Sequence, residues 1–267
     1  MQSSSLLLSP EGALIVQPGL NSFSKAVKKA KEQGIGNLLL KSGMHDEKGE
    51  YVDIDFALNV VGQNKDDVKI RASLWIAGKE EDDVFLSDCT VTGAKKNGVS
   101  GKEGASMHLK NVCVEKCGGI GVYVNFTKRN TMTDCNVNNN KENGVYVGYG
   151  GRMVIDGSAT TIHHNCTGGS GHYGLETYGS SSIHLKLLTK ESISTNNGGG
   201  GNYSGDIKTV TETPTSNESS GETKTNFVSS FFLSLSFLCF FSFIYRVQLV
   251  SDSSFFFDYI LTPGTLF

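Results

Sequence analysis

Three carboxylates are spaced so that chemistry on a sugar is conceivable: Asp134, Asp156 and Glu176. Acid–base cleavage of a glycosidic bond needs two carboxyl groups about 5 to 9.5 Å apart. Elimination needs a base for the proton beside a sugar carboxylate and a cation for the developing charge. His163, His164 and His172 could be bases, and Lys128, Arg129 and Arg152 could be cations. The candidate catalytic group is therefore Lys128, Arg152, Asp156, His172 and Glu176. Each also has an ordinary use. Asp134 repeats the phase of Asp88 and Asn111, Asp156 precedes Gly157, and both read as turn residues. Tyr123, Tyr146 and Tyr173 are a separate kind of candidate, flat rings able to stack on a ligand.

Metal and cofactor chemistry is not expected. Adjacent strand residues point to opposite faces, so His163 and His164 make a poor chelating pair. Cys113 and Cys117 have no second cysteine pair to complete a zinc site. The glycine runs at Gly148–Gly151 and Gly198–Gly201 match no phosphate-loop spacing and read as turns.

The elements that would position these residues announce themselves as a repeat. Gly98-Val99, Gly121-Val122 and Gly144-Val145 recur every 23 residues. Leu86, Leu109 and Met132 keep the same phase, as do Val91, Val114 and Val137. Apolar residues alternate in pieces of three to five, the period of short strands with one inward face. A unit of this length is too short for a four-stranded propeller blade and contains no helical pattern, leaving windings of short strands that stack. Ile162 and Ile193 extend the valine series. Asn140, Asn165 and Asn196 follow it by three residues, and windings about 4.8 Å apart would let them form a hydrogen-bonded ladder. The expected architecture is all-β, a parallel β-helix of six to seven coils over residues 36–205. Phe23, Ala26, Val27 and Ala30 mark a short capping helix within residues 1–35, with Asn21 or Ser22 at its start and Gly34 at its end.

The net charge of −3 and the lack of a basic stripe argue against nucleic acid as a partner. The six cysteines read as free thiols in a reducing interior. Leu6-Leu7-Leu8 is too short an apolar run for a secretory signal, so the sequons at Asn125, Asn165, Asn202 and Asn217 carry little weight, and the compartment is not assigned. Residues 206–226, rich in Thr, Ser and Glu, read as a disordered linker. Eleven of the fifteen phenylalanines then fall in residues 227–267. The uncharged stretch 227–245 is long enough to anchor in a membrane as a helix; a poorly ordered tail is the alternative.

The string Val84-Phe-Leu-Ser-Asp-Cys-Thr-Val-Thr and its successor Met107-His-Leu-Lys-Asn-Val-Cys-Val-Glu resemble right-handed parallel β-helix repeats of the pectin lyase-like superfamily. Leu38-Leu-Leu-Lys-Ser-Gly and Leu58-Asn-Val-Val-Gly look like the first coils of such proteins. The resemblance spans about residues 36–200. It is similar in particular to β-helix domains of periplasmic copper-site maturation proteins and of some F-box substrate receptors. The resemblance implies a sugar-binding groove along the sheet. His172-Tyr173-Gly174-Leu175-Glu176 is distantly similar to the alginate epimerase motif Tyr-Gly-Phe-Asp-Pro-His but lacks its Asp-Pro-His portion. The expected function is a non-catalytic β-helix module that binds a glycan or a protein partner on an exposed sheet face. The alternative is a carbohydrate-active lyase, hydrolase or epimerase.

Overall fold

The computed structural model of the chain describes residues 12–211. The expected linker beyond residue 211, the apolar stretch 227–245, Asn217 and Cys239 lie outside the described residues. Among the described residues no helix is long and apolar enough to cross a membrane.

The chain winds into a solenoid of parallel strands laid on three faces. The first face is a nine-stranded sheet that begins at Leu14–Val16 and ends at Ile207–Val210. The other two faces belong to one thirteen-stranded sheet. They are continuous through the long strands Gly43–Ile54 and Val68–Ile76. The latter bends across a corner, so Lys69 pairs with Thr90 on the second face while Leu74 pairs with Val99 on the third.

Like residues land over like. Leu14, Leu38, Val60, Leu86, Leu109, Met132, Ile155 and Leu185 form one column through the first face, all buried. Ile70, Val91, Val114, Val137 and Ile162 form another through the second. Leu74, Val99, Val122, Val145 and Leu175 line the third. Burying each aliphatic side chain contributes about 1.5–3 kcal/mol, which makes these columns the main source of cohesion. The buried cysteines behave as small hydrophobes: burial pushes the thiols of Cys117 up to about 12 and of Cys135 up to about 11.

Nine windings replace the expected six to seven. The extra strands, Leu14–Val16 and Ile207–Val210, fall outside residues 36–205, where a helix and a polar stretch mask the strand period. The helix α1 (Ser22–Gln33) buries Phe23, Ala26, Val27 and Ala30 and ends at Gly34, which has φ 65°. Its start is not capped by Asn21. Glu47 reaches over instead and accepts from the N–H groups of Phe23 (2.9 Å) and Ser24 (3.2 Å), placing a carboxylate on the orphan donors of the first turn.

Three corner columns close each winding, and each uses one residue in the left-handed region. Asp88, Asn111 and Asp134 turn from the first face to the second, with φ of 53°, 51° and 52°. Lys116, Asn139, His164 and Asn196 turn from the second to the third. Glu103, Phe126 and Tyr149 leave the third, with φ of 55°, 63° and 52°.

The asparagine ladder runs one residue beyond the second corner. Asn140 Nδ2 donates to Asn165 Oδ1 (2.9 Å), and Asn165 Nδ2 donates to Asn197 Oδ1 (3.0 Å). The expected third member, Asn196, is the corner residue itself. The short helix α2 (Lys190–Ile193) inserts before this strand, so Ser194 rather than Ile193 stands over Ile162 and the phase moves by one.

Candidate functional site

The third face carries two outward columns. The first contains Trp75, Ser100, Tyr123, Tyr146, Glu176 and Ser204 in direct register. Tyr123 and Tyr146 stack with ring centroids 5.5 Å apart and planes 10° from parallel. Lys102 lays its ammonium 4.2 Å from the Trp75 ring centre and 5.3 Å from that of Tyr123, filling the gap that Ser100 leaves between them. Burial pushes the hydroxyls of Tyr123 and Tyr146 above their ordinary range, with the neighbouring Tyr149 adding to this for both and Glu176 for Tyr146, so these two stay protonated near neutrality.

At the adjoining corner a second aromatic run continues the strip. Phe126 stacks on Tyr149 at 5.5 Å, and Tyr149 meets Tyr178 edge-on at 5.8 Å. These three side chains are 56%, 53% and 58% exposed. A large ring with positive φ is unusual, because its Cβ crowds the backbone there. The first corner solves the same problem with Asp and Asn, which tolerate the conformation. The third corner holds Glu103, Phe126 and Tyr149 instead, and the two rings stack on each other. A cavity of about 270 Å³ opens beside this corner, lined by Glu80, Ser106, Phe126, Lys128 and Arg129 among others.

The candidate residues are distributed unevenly over this surface. Tyr123 and Tyr146 are brought together; Tyr173 is not. It pairs with Gly201 at the start of its strand and lays its ring against Gly200, where an added Cβ would come within 2.5 Å. The longer winding before it sets the register so that Glu176, not Tyr173, stands over Tyr146. Glu176 Oε2 accepts from Asn143 Nδ2 (2.5 Å), whose Oδ1 lies 3.0 Å from His172 Nδ1. Arg152 and Asp156 lie on the first face instead. Arg152 meets His184 at 3.0 Å, and Asp156 accepts from the N–H of Gly157. Lys128 lines the corner cavity. The five candidate catalytic residues thus occupy three separate places. Another charged set, on the first face, joins His108 to Asp83 at 3.1 Å and Arg129 to Asp83 at 2.9 Å, with Phe85 stacked on His108. Among the described residues no group of three His, Cys, Asp or Glu side chains could hold a metal ion.

The sequence reading missed Phe126, Tyr149, Tyr178, Trp75 and Lys102. A signal existed for the first two: Phe126 and Tyr149 share the 23-residue spacing of Tyr123 and Tyr146, three residues further on.

Stacked windings of short parallel strands define a parallel β-helix, and an aromatic strip runs along one of its edges. The family of right-handed beta helix regions matches residues 66–197. The chain is a right-handed parallel β-helix repeat protein. A solved structure, ORF18 of Geobacillus virus E2, is similar to it at 8% identity and a TM-score of 0.36, over 74% of this chain and 62% of that one. Comparison with curated proteins gives no match.

Proposed function

We propose that this β-helix is a binding module that holds a glycan along the strip of Tyr123, Tyr146, Phe126, Tyr149 and Tyr178. The observation that carries the reading is the pair of exposed rings, Phe126 and Tyr149, kept at corner positions that disfavour them. Strained residues concentrate where a protein does its work, and a sizeable exposed apolar surface marks an interaction site. Pyranose rings present C–H faces that pack flat on aromatic rings. Hydroxyls at their rims suit the flanking Lys102 and Glu176. Successive windings repeat the rings at regular intervals, which fits an extended chain of sugar units lying parallel to the solenoid axis.

The full chain contains a single tryptophan, Trp75, and it belongs to this strip. Its fluorescence should therefore change on titration with soluble polysaccharide. The variant Tyr149→Ala with Tyr178→Ala should lose at least tenfold in affinity. Binding undiminished in that variant, or no binding to any glycan in a broad panel, would overturn the reading.

A carbohydrate-active enzyme is the second reading, and the contact of Glu176, Asn143 and His172 beside Tyr146 favours it. Hydrolysis by the usual two-carboxylate route needs a partner for Glu176 within about 5 to 9.5 Å. Release of reducing ends that disappears in Glu176→Gln would establish this reading over the first.

A further inference from the structure

We infer that Asn125 is the residue of the strip that recognises a sugar hydroxyl, by holding its side-chain amide for a ligand hydroxyl that reaches it when the Tyr146 ring turns aside. This inference rests on the glycan-binding reading above and adds to it a specificity-determining residue.

Asn125 is 5% exposed, yet its Oδ1 has no hydrogen-bond partner, the one such buried side-chain atom found among the described residues. Its Nδ2 donates to the Tyr123 hydroxyl. Buried asparagines elsewhere in the solenoid behave differently. Asn130 accepts from the N–H of Met107 and donates to the carbonyl of Arg152. Asn140 accepts from the N–H of Cys117 and donates to the carbonyl of Val114. A purely structural Asn125 would be expected to be satisfied in the same way, because an unmet buried acceptor lowers stability.

Its position explains what the amide is kept for. Asn125 stands in the second outward column of the third face, between Lys102 and Gly148. Gly148 leaves a notch there. A Cβ added at Gly148 would lie 2.8 Å from Asn125 Oδ1, 2.7 Å from Cε1 of Tyr146 and 3.1 Å from its hydroxyl. The notch is thus filled by the end of the Tyr146 phenol, which covers the amide. No hydrogen bond of the Tyr146 hydroxyl is present among the described residues, so rotating the ring gives up its stacking on Tyr123 and its packing in the Gly148 notch.

The chemistry of the group narrows the ligand. A carboxylate or phosphate oxygen has no proton to give Oδ1, whereas hydroxyls occur on neutral and uronic-acid sugars alike. A sugar hydroxyl both donates and accepts, so it satisfies the amide whichever end faces outward. Sugar C–H faces meanwhile occupy Tyr123 and Phe126 on either side.

The test uses the full chain with Asn125→Leu, and Asn125→Ala should leucine not be accommodated. Thermal melting is measured without ligand, and affinity is measured with soluble neutral β-glucan, galactomannan and xyloglucan, and with the anionic polygalacturonate. The expected result is a variant that melts higher than the wild type but binds its preferred polysaccharide at least tenfold more weakly. Unchanged affinity overturns the inference while the strip stands, provided Tyr149→Ala with Tyr178→Ala still weakens binding. A variant that melts lower shows Asn125 to be structural and also overturns it. A wild type that binds no glycan removes the underlying reading as well.

Discussion

Phe126 and Tyr149 turn the chain with φ of 63° and 52°, a conformation that asparagine adopts more readily than an aromatic residue. Replacing both by Asn should relieve part of a backbone strain of about 1–2 kcal/mol per residue. The same change removes the stack between them, worth about 0.5–1.5 kcal/mol. Chemical denaturation is therefore expected to show stability equal to or above that of the wild type, while glycan affinity falls. A large loss of stability would mean the rings are held for the fold. His45 makes a different statement at the same scale. It is fully buried, with Nδ1 2.9 Å from Ser22 Oγ and Nε2 3.0 Å from the carbonyl of Lys41. Burial holds its imidazole below the usual 6.5, against the pull of the Lys41 carbonyl and the Glu47 charge. The unfolded chain then binds the proton more readily than the folded one. The contribution is present above about pH 6.5 and is lost as pH falls through the lowered folded value. Denaturation midpoints between about pH 8 and pH 5 should show this loss, and His45→Asn should lack that part of the slope.

Elements were legible wherever the period was strict. The windings from Asp83 to Asp156 repeat every 23 residues, and there the expected columns and the observed ones coincide. Legibility failed where an insertion changed the phase. The helix α2 shifted the ladder from Asn196 to Asn197, and the longer winding before Tyr173 put Glu176 in its place. Spacing alone cannot reveal which side of a corner absorbs the extra residues. The two neighbouring asparagines therefore make a sharp comparison. Asn197 accepts from the N–H of Asn165 and donates to the carbonyls of Ile162 and Thr195, whereas Asn196 serves as a left-handed corner. Asn197→Ala leaves several part-buried partners unmet and should cost about 2–3 kcal/mol or more in urea unfolding. Asn196→Gly should cost less than about 1 kcal/mol, since glycine keeps the corner conformation. Equal effects at both positions would move the ladder back to Asn196.

At the scale of the whole molecule, a solenoid holds together through contacts between neighbouring windings, so its stability approximates a sum over windings and their interfaces. Register inside each short strand is a stricter matter. A slip of one residue turns the inward column outward. These two facts predict opposite responses to a large and a small change. Deleting residues 107–129 removes one complete winding and joins Ser106 to Asn130. Met132 then takes the place of Leu109 over Leu86, Val137 that of Val114 over Val91, and Tyr149 that of Phe126. That shortened chain should fold, with the circular dichroism of a β-helix and a melting temperature only modestly lowered. A single alanine inserted between His108 and Leu109 leaves every residue in the chain, yet it aims Leu109 at water and Lys110 at the core unless the corner at Asn111 is rebuilt. It should melt lower than the chain that lost an entire winding. The reverse order would mean that the corners, and not the columns of like residues, set the register of this fold.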